Sequence, residues 1–149
     1  NVTGKLDATG AIENTNRGGT IIVAGDDVVI DDKASLNVSA DAGYGWIALG
    51  DLSGELDWLD TPYSRTLYVG PDVTLIADAY TTGRAGGIYM RSNLKTNFLG
   101  TANARGTTDK YSGGYVEIAS KGDVRFYEAQ AKIDVSASNG GRVVITKQY

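Results

Sequence analysis

One phrase recurs along this chain: a glycine, a variable residue, an apolar one, a variable one and another apolar one. It appears as Gly19-Thr20-Ile21-Ile22-Val23, Gly45-Trp46-Ile47-Ala48-Leu49, Gly114-Tyr115-Val116-Glu117-Ile118 and Gly141-Arg142-Val143-Val144-Ile145. Gly86-Gly87-Ile88-Tyr89-Met90 is a fifth copy in which Gly87 takes the variable place. The first apolar anchors fall at positions 21, 47, 88, 116 and 143, at intervals of 26, 41, 28 and 27 residues. Alternation with period two is the signature of a strand. A strand repeated at a period in the high twenties predicts a stack of coils rather than an ordinary globular domain.

Further apolar pairs fill out each period. Val28 and Ile30 are followed at a spacing of eight by Leu36 and Val38, and Leu67 and Val69 by Leu75 and Ala77. The same spacing relates Leu94 and Thr96 to Ala102 and Ala104, and Val124, Phe126, Ile133 and Val135 repeat it with one extra residue. Each coil is therefore expected to hold three short strands. Turn chemistry separates them at Asp26-Asp27, Asp31-Asp32, Gly70-Pro71-Asp72, Lys121-Gly122-Asp123 and Asn139-Gly140-Gly141. The fold class expected is all-β: a parallel β-helix of about four full coils with partial coils at both ends. Like strands of successive coils should lie side by side, with Ile21, Ile47, Ile88, Val116 and Val143 as one inward ladder. Ala102, Ala104 and Thr96 should leave the coil that contains Leu94 thinly filled.

The long interval holds an excess. From Leu49 to Leu67 is 18 positions, where the equivalent step takes 5 from Val23 to Val28 and 6 from Ile118 to Val124. About a dozen residues within 50–65 should protrude as a loop, and a long loop on a rigid scaffold is where function usually sits. The chain opens in mid-pattern at Asn1 and ends at Tyr149 after a fresh strand. We expect one β-helix segment over 1–149, cut from a longer protein.

The phrases Gly113-Gly114-Tyr115-Val116-Glu117-Ile118-Ala119-Ser120 and Ala131-Lys132-Ile133-Asp134-Val135-Ser136-Ala137-Ser138-Asn139-Gly140-Gly141 resemble the rungs of filamentous-haemagglutinin-like exoproteins, the large passengers of bacterial two-partner secretion. The likeness runs from Gly18 to Thr146. It implies a right-handed parallel β-helix in a secreted or cell-surface fibre outside the bacterial outer membrane, used in adhesion or cell contact. An outer-membrane two-partner secretion transporter would be the partner of the parent protein. The Asn-Pro-Asn motifs of the family's secretion domain are missing, so this segment should not be the part that the transporter recognises. The shaft rungs of the family carry no catalytic motif, so no functional residue is transferred.

Composition narrows the chemistry. The 149 residues carry a net charge of −4, with no cysteine and no histidine. An acidic chain argues against a nucleic-acid or anionic-membrane partner. No apolar run approaches the roughly 18 residues of a membrane span, so no membrane insertion is expected. Thiolate metal sites, disulfides, cysteine nucleophiles and histidine bases are excluded. No cofactor or metal is expected.

The candidate binding residues are aromatic. Trp46, Tyr89 and Tyr115 occupy outward positions of the first strand and should form a stripe, and Trp58 and Tyr63 sit in or beside the long loop. Aromatic faces stack on sugar rings or anchor a protein partner, although the same rings would also serve simply to cover the sheet. The loop acids Asp51, Glu55, Asp57 and Asp60 lack calcium-loop spacing and are read as solvated. Asp26/Asp27 and Asp31/Asp32 have the look of catalytic carboxylate pairs, but they occupy turn slots that favour aspartate. Three functions follow. The first is a non-enzymatic structural or adhesive shaft that contacts a host or neighbouring-cell glycan or protein. The second is a self-associating filament subunit, since coil ends expose unpaired backbone. The third is a small β-helical polysaccharide lyase or glycosidase.

Overall fold

Each glycine-led phrase forms a strand, and the glycine itself is what allows the strands to stack. The computed structural model describes residues 1–10, 17–51, 63–81, 83–106, 113–126 and 130–147. Before the first full coil lies β1 (Lys5–Asp7). The first coil is β2 (Thr20–Val23), β3 (Asp27–Ile30) and β4 (Ser35–Asn37), and the second is β5 (Trp46–Leu49), β6 (Ser64–Val69) and β7 (Thr74–Ile76). The third is β8 (Gly87–Phe98) and β9 (Thr101–Asn103). The fourth is β10 (Tyr115–Ser120), β11 (Asp123–Phe126) and β12 (Lys132–Asp134), and β13 (Arg142–Lys147) follows it. No helix occurs among the described residues.

All strand pairings run parallel from coil to coil. The first ladder is the expected one: Ile21 pairs with Ile47, Ile47 with Ile88, Ile88 with Val116 and Val116 with Val143. The third edge stacks Leu6, Leu36, Leu75, Ala102 and Ile133 in one column. Ile30, Leu36, Ile47, Leu49, Ile88 and Met90 are fully buried between the two sheets. At about 25 cal/mol per Å² of buried apolar surface, such columns are the main source of stability. A β-solenoid of about four coils is thus the fold.

The recurring glycine has a steric cause. Trp46 N–H donates to the Gly19 carbonyl, Gly87 N–H to Gly45 and Tyr115 N–H to Gly86, at 3.1, 3.0 and 3.1 Å. The glycines therefore stack directly on one another at a corner of the coil. A Cβ placed on Gly86 would run into the Gly45 carbonyl oxygen, and one on Gly114 into that of Gly86. The same corner is fixed from the other side by side chains at the end of the third strand, where Gly19 N–H donates to the Ala8 carbonyl at 2.8 Å. Asp7, Asn37 and Asp134 lie in one column, and each accepts the backbone N–H two residues on, from Thr9, Ser39 and Ser136, at 3.1, 2.9 and 2.9 Å. These local turns end the third strand of their coils.

Two expectations need correction. Leu94 does not face inward; it is 54% exposed. The residue that pairs with Leu67 is Thr96, and Val69 pairs with Phe98. In the first two coils four residues separate the second strand from the third, 31–34 and 70–73, whereas only Leu99 and Gly100 do so in the third coil. That shorter corner moves the inward register by two. It puts Phe98, fully buried, where the coil was expected to be thin, with its ring 5.8 Å from that of Phe126. The third coil also has two strands rather than three. Its first two edges merge into the 12-residue β8, whereas the other full coils break between Val23 and Asp27, between Leu49 and Ser64, and at Lys121-Gly122.

Candidate functional site

The outward face of the first sheet carries two parallel rows. One runs Thr20, Trp46, Gly87, Tyr115, Arg142, and the next runs Ile22, Ala48, Tyr89, Glu117, Val144. Tyr89 belongs to the second row, yet its ring lies over Gly87, where a Cβ would meet the ring carbons and hydroxyl. It thereby fills the gap between Trp46 and Tyr115. The Trp46 and Tyr89 rings meet edge to face at 6.4 Å and 86°, and Tyr89 and Tyr115 are tilted by 43° at 5.6 Å. The sequence-derived stripe is therefore continuous, and its three rings are half-buried.

Beneath and beside the stripe is a charged clasp. Arg91 Nε donates to Glu117 Oε1 at 2.7 Å, and Arg91 Nη1 donates to Asp51 Oδ2 at 2.6 Å. The Tyr115 hydroxyl donates to Glu117 Oε2 at 2.7 Å. Glu117 points outward but is only 7% exposed, because Tyr115 and Arg91 cover it. Burial alone would raise its pKa, but the hydrogen bonds from Arg91 and Tyr115 and the Arg91 charge outweigh that and hold the carboxyl below its usual range. Burial, together with the bond to Glu117 and that carboxylate's charge, pushes the Tyr115 phenol up. Burial of Arg91 works against its charge, but Glu117 and Asp51 more than compensate and strengthen the guanidinium.

Asp51 marks the root of the long insertion. It forms an antiparallel bridge with Tyr63, and Ser64 N–H donates to the Gly50 carbonyl at 2.8 Å. Trp58, Glu55, Asp57 and Asp60 lie outside the described residues. Tyr63 is at the neck, with its carbonyl accepting from Asn93 and Lys121 Nζ 5.6 Å from its ring centroid. It does not line the groove that the stripe forms. Asp27 is held by Arg65 and Thr66, and Asp32 is a left-handed turn residue at φ 52°. The carboxylate pairs thus serve the backbone and the surface. No cluster of three or more metal-ligating side chains is found among the described residues.

The stripe floors an open groove of about 670 Å³. Tyr44, Arg84 and Arg142 complete its walls with Arg91. The sequence reading missed Tyr44, Arg84 and Arg91 as site residues. Tyr44 is 48% exposed and holds a left-handed backbone at φ 61°, fixed by its N–H donating to the Arg84 carbonyl at 3.1 Å. The Arg17 guanidinium sits 5.0 Å from its ring centroid. A bulky residue held in that region costs about 1–2 kcal/mol, and such strain tends to collect at functional sites. Arg142 was legible, since it follows Trp46 and Tyr115 at the same place in the repeated phrase; its guanidinium lies 5.9 Å from the Tyr115 ring.

Comparison with models of known families returns no match, and comparison with curated proteins returns none either. The functional reading therefore rests on the groove and the stack that carries it.

Proposed function

We propose that this chain is a segment of the rigid shaft of a bacterial surface or secreted fibre, and that its aromatic groove is a contact point for a glycan. The observation that carries this reading is the alignment of Trp46, Tyr89 and Tyr115 along the stacking direction, one ring from each successive coil. Rings spaced along a stack of coils suit a chain-like ligand that runs parallel to the shaft. Sugar rings offer apolar C–H faces to such aromatics, and their hydroxyls suit a groove with a polar rim. The resemblance to filamentous-haemagglutinin rungs supports export by an outer-membrane two-partner secretion transporter and a role in adhesion. The role is non-enzymatic: the carboxylates next to the stripe, Asp51 and Glu117, are both engaged by Arg91.

A glycan array probed with the purified chain tests the proposal. Wild type should bind a subset of oligosaccharides, and Tyr89→Ala and Tyr115→Ala should lose that binding while keeping the β-sheet circular dichroism spectrum. No binding by wild type, or equal binding by the variants, would refute the groove as a glycan site.

One observation favours a second reading. Val143 and Ile145 on β13 are 40% and 52% exposed, and Leu6 on β1 is 37% exposed, so apolar rungs are open at both ends of the stack. Another coil, from a longer polypeptide or a second copy, would cover them. Sedimentation that shows only monomers at high concentration removes the second copy.

A further inference from the structure

Two arginines in the groove pair with no carboxylate among the described residues. Arg91 is saturated by Glu117 and Asp51. Arg84 and Arg142 also line the groove and are both exposed, and neither forms an ion pair among the described residues. Arg142 ends the row that contains Trp46 and Tyr115, and Arg84 flanks the stripe at the corner that carries Tyr44. Uncompensated positive charge is thus concentrated beside aromatic faces in a chain whose net charge is −4.

We propose that the groove takes a carboxylated glycan, a chain containing uronic-acid units, with Arg84 and Arg142 pairing with its carboxylates while Trp46, Tyr89 and Tyr115 stack on its sugar rings. This rests on the glycan reading above and names its ligand class. A guanidinium presents a rigid planar fork that matches a carboxylate through two parallel N–H···O bonds. Arg142 is already positioned by the Tyr115 face, so little freedom is lost when its fork engages. A neutral glycan would leave both guanidinium groups without partners. A single-stranded nucleic acid also stacks on aromatics, but it needs a basic groove that follows successive phosphates. Here Asp51 lies in the groove and Glu117 just beneath it, and among the described residues the groove lining carries two arginines outside any ion pair.

The test is titration calorimetry of the purified chain with oligogalacturonate, with a neutral oligogalactan of equal length, with poly-glutamate and with oligo-dT. Oligogalacturonate should bind best, and Arg84→Gln and Arg142→Gln should each weaken it about tenfold, the order of one charge-assisted pair. Binding of the neutral oligomer should not change in either variant. Neither arginine is in the core, and an unchanged melting temperature confirms that the variants fold. If the neutral oligomer binds as tightly as the acidic one, the carboxylate proposal falls and the glycan reading stands. If neither sugar binds, the carboxylate proposal falls, and a glycan array without hits takes the glycan reading with it. Equal or tighter binding of poly-glutamate or oligo-dT overturns the proposal in favour of an acidic peptide or a nucleic acid.

Discussion

Tyr89 lies across the space that a side chain on Gly87 would occupy. The gap in the Trp46 row is therefore not a defect but the seat of the middle ring of the stripe. Gly87→Val should displace Tyr89 while adding a residue that favours strands. We expect a changed near-ultraviolet circular dichroism spectrum, a melting temperature close to wild type and glycan binding as weak as that of Tyr89→Ala. Wild-type binding by Gly87→Val would mean that the ring's seat is unimportant.

Arg91 joins three coils: its own, the preceding one through Asp51, and the next through Glu117. Arg91→Met should leave Glu117 covered and unpaired. The expected loss is about 2–3 kcal/mol, below the fully buried case because Arg91 keeps some exposure. Arg91→Met/Glu117→Leu should recover part of it, since Asp51 is then the one carboxylate of the clasp that has lost the guanidinium. Denaturant titration gives both values. A loss of only a few tenths for the single variant would place the clasp among ordinary surface pairs.

The same clasp predicts a pH dependence. The Glu117 carboxyl is held below its ordinary value in the folded chain by Arg91 and Tyr115, against the opposing influence of burial and Asp51. Its contribution is therefore present above the unfolded glutamate value, about 4.3, and is lost as pH falls through the lower folded value. Tyr115 is shifted upward, so its contribution is complete below about pH 10 and declines as pH rises past that point. Thermal melts across this range should show both flanks, and Glu117→Gln should flatten the acid one. An acid flank of the same steepness in that variant assigns the effect to other carboxylates.

Much of this was legible in sequence, and the exceptions share a cause. The Ile21-to-Val143 ladder could be read because inward aliphatics alternate with outward residues and the coil period repeats them. The aromatic stripe followed from the same alternation. Leu94 was misplaced because the spacing of eight to Ala102 matches the other coils, while the third coil's corner is two residues shorter. Arg91 gave no local signal, because its two partners lie 40 residues before it and 26 after it. Tyr44 was silent for a different reason: a tyrosine does not advertise a left-handed backbone as glycine or asparagine does.

The stacked glycines make a sharper prediction than the aliphatic ladder. Gly86→Ala adds a single methyl group, but that group is aimed at the Gly45 carbonyl oxygen, which is backbone and cannot rotate away. The coils must part locally, at a cost of about 1–3 kcal/mol. Gly4→Ala, where a Cβ meets nothing, is the control and should be near neutral. Equal stability of the two variants in denaturant would show that glycine at the corner is not sterically required.

Tyr44 offers a test in which stability and function move in opposite directions. Its backbone sits at φ 61°, where glycine is unstrained. Tyr44→Gly relieves a strain of about 1–2 kcal/mol and loses a ring contact with Arg17 of about 0.5–1 kcal/mol. The variant should therefore melt at or slightly above the wild-type temperature. If the strain is retained because the ring forms a wall of the groove, glycan binding should fall in the same variant. A more stable variant that binds as wild type does would remove Tyr44 from the site and leave its backbone conformation without a functional reason.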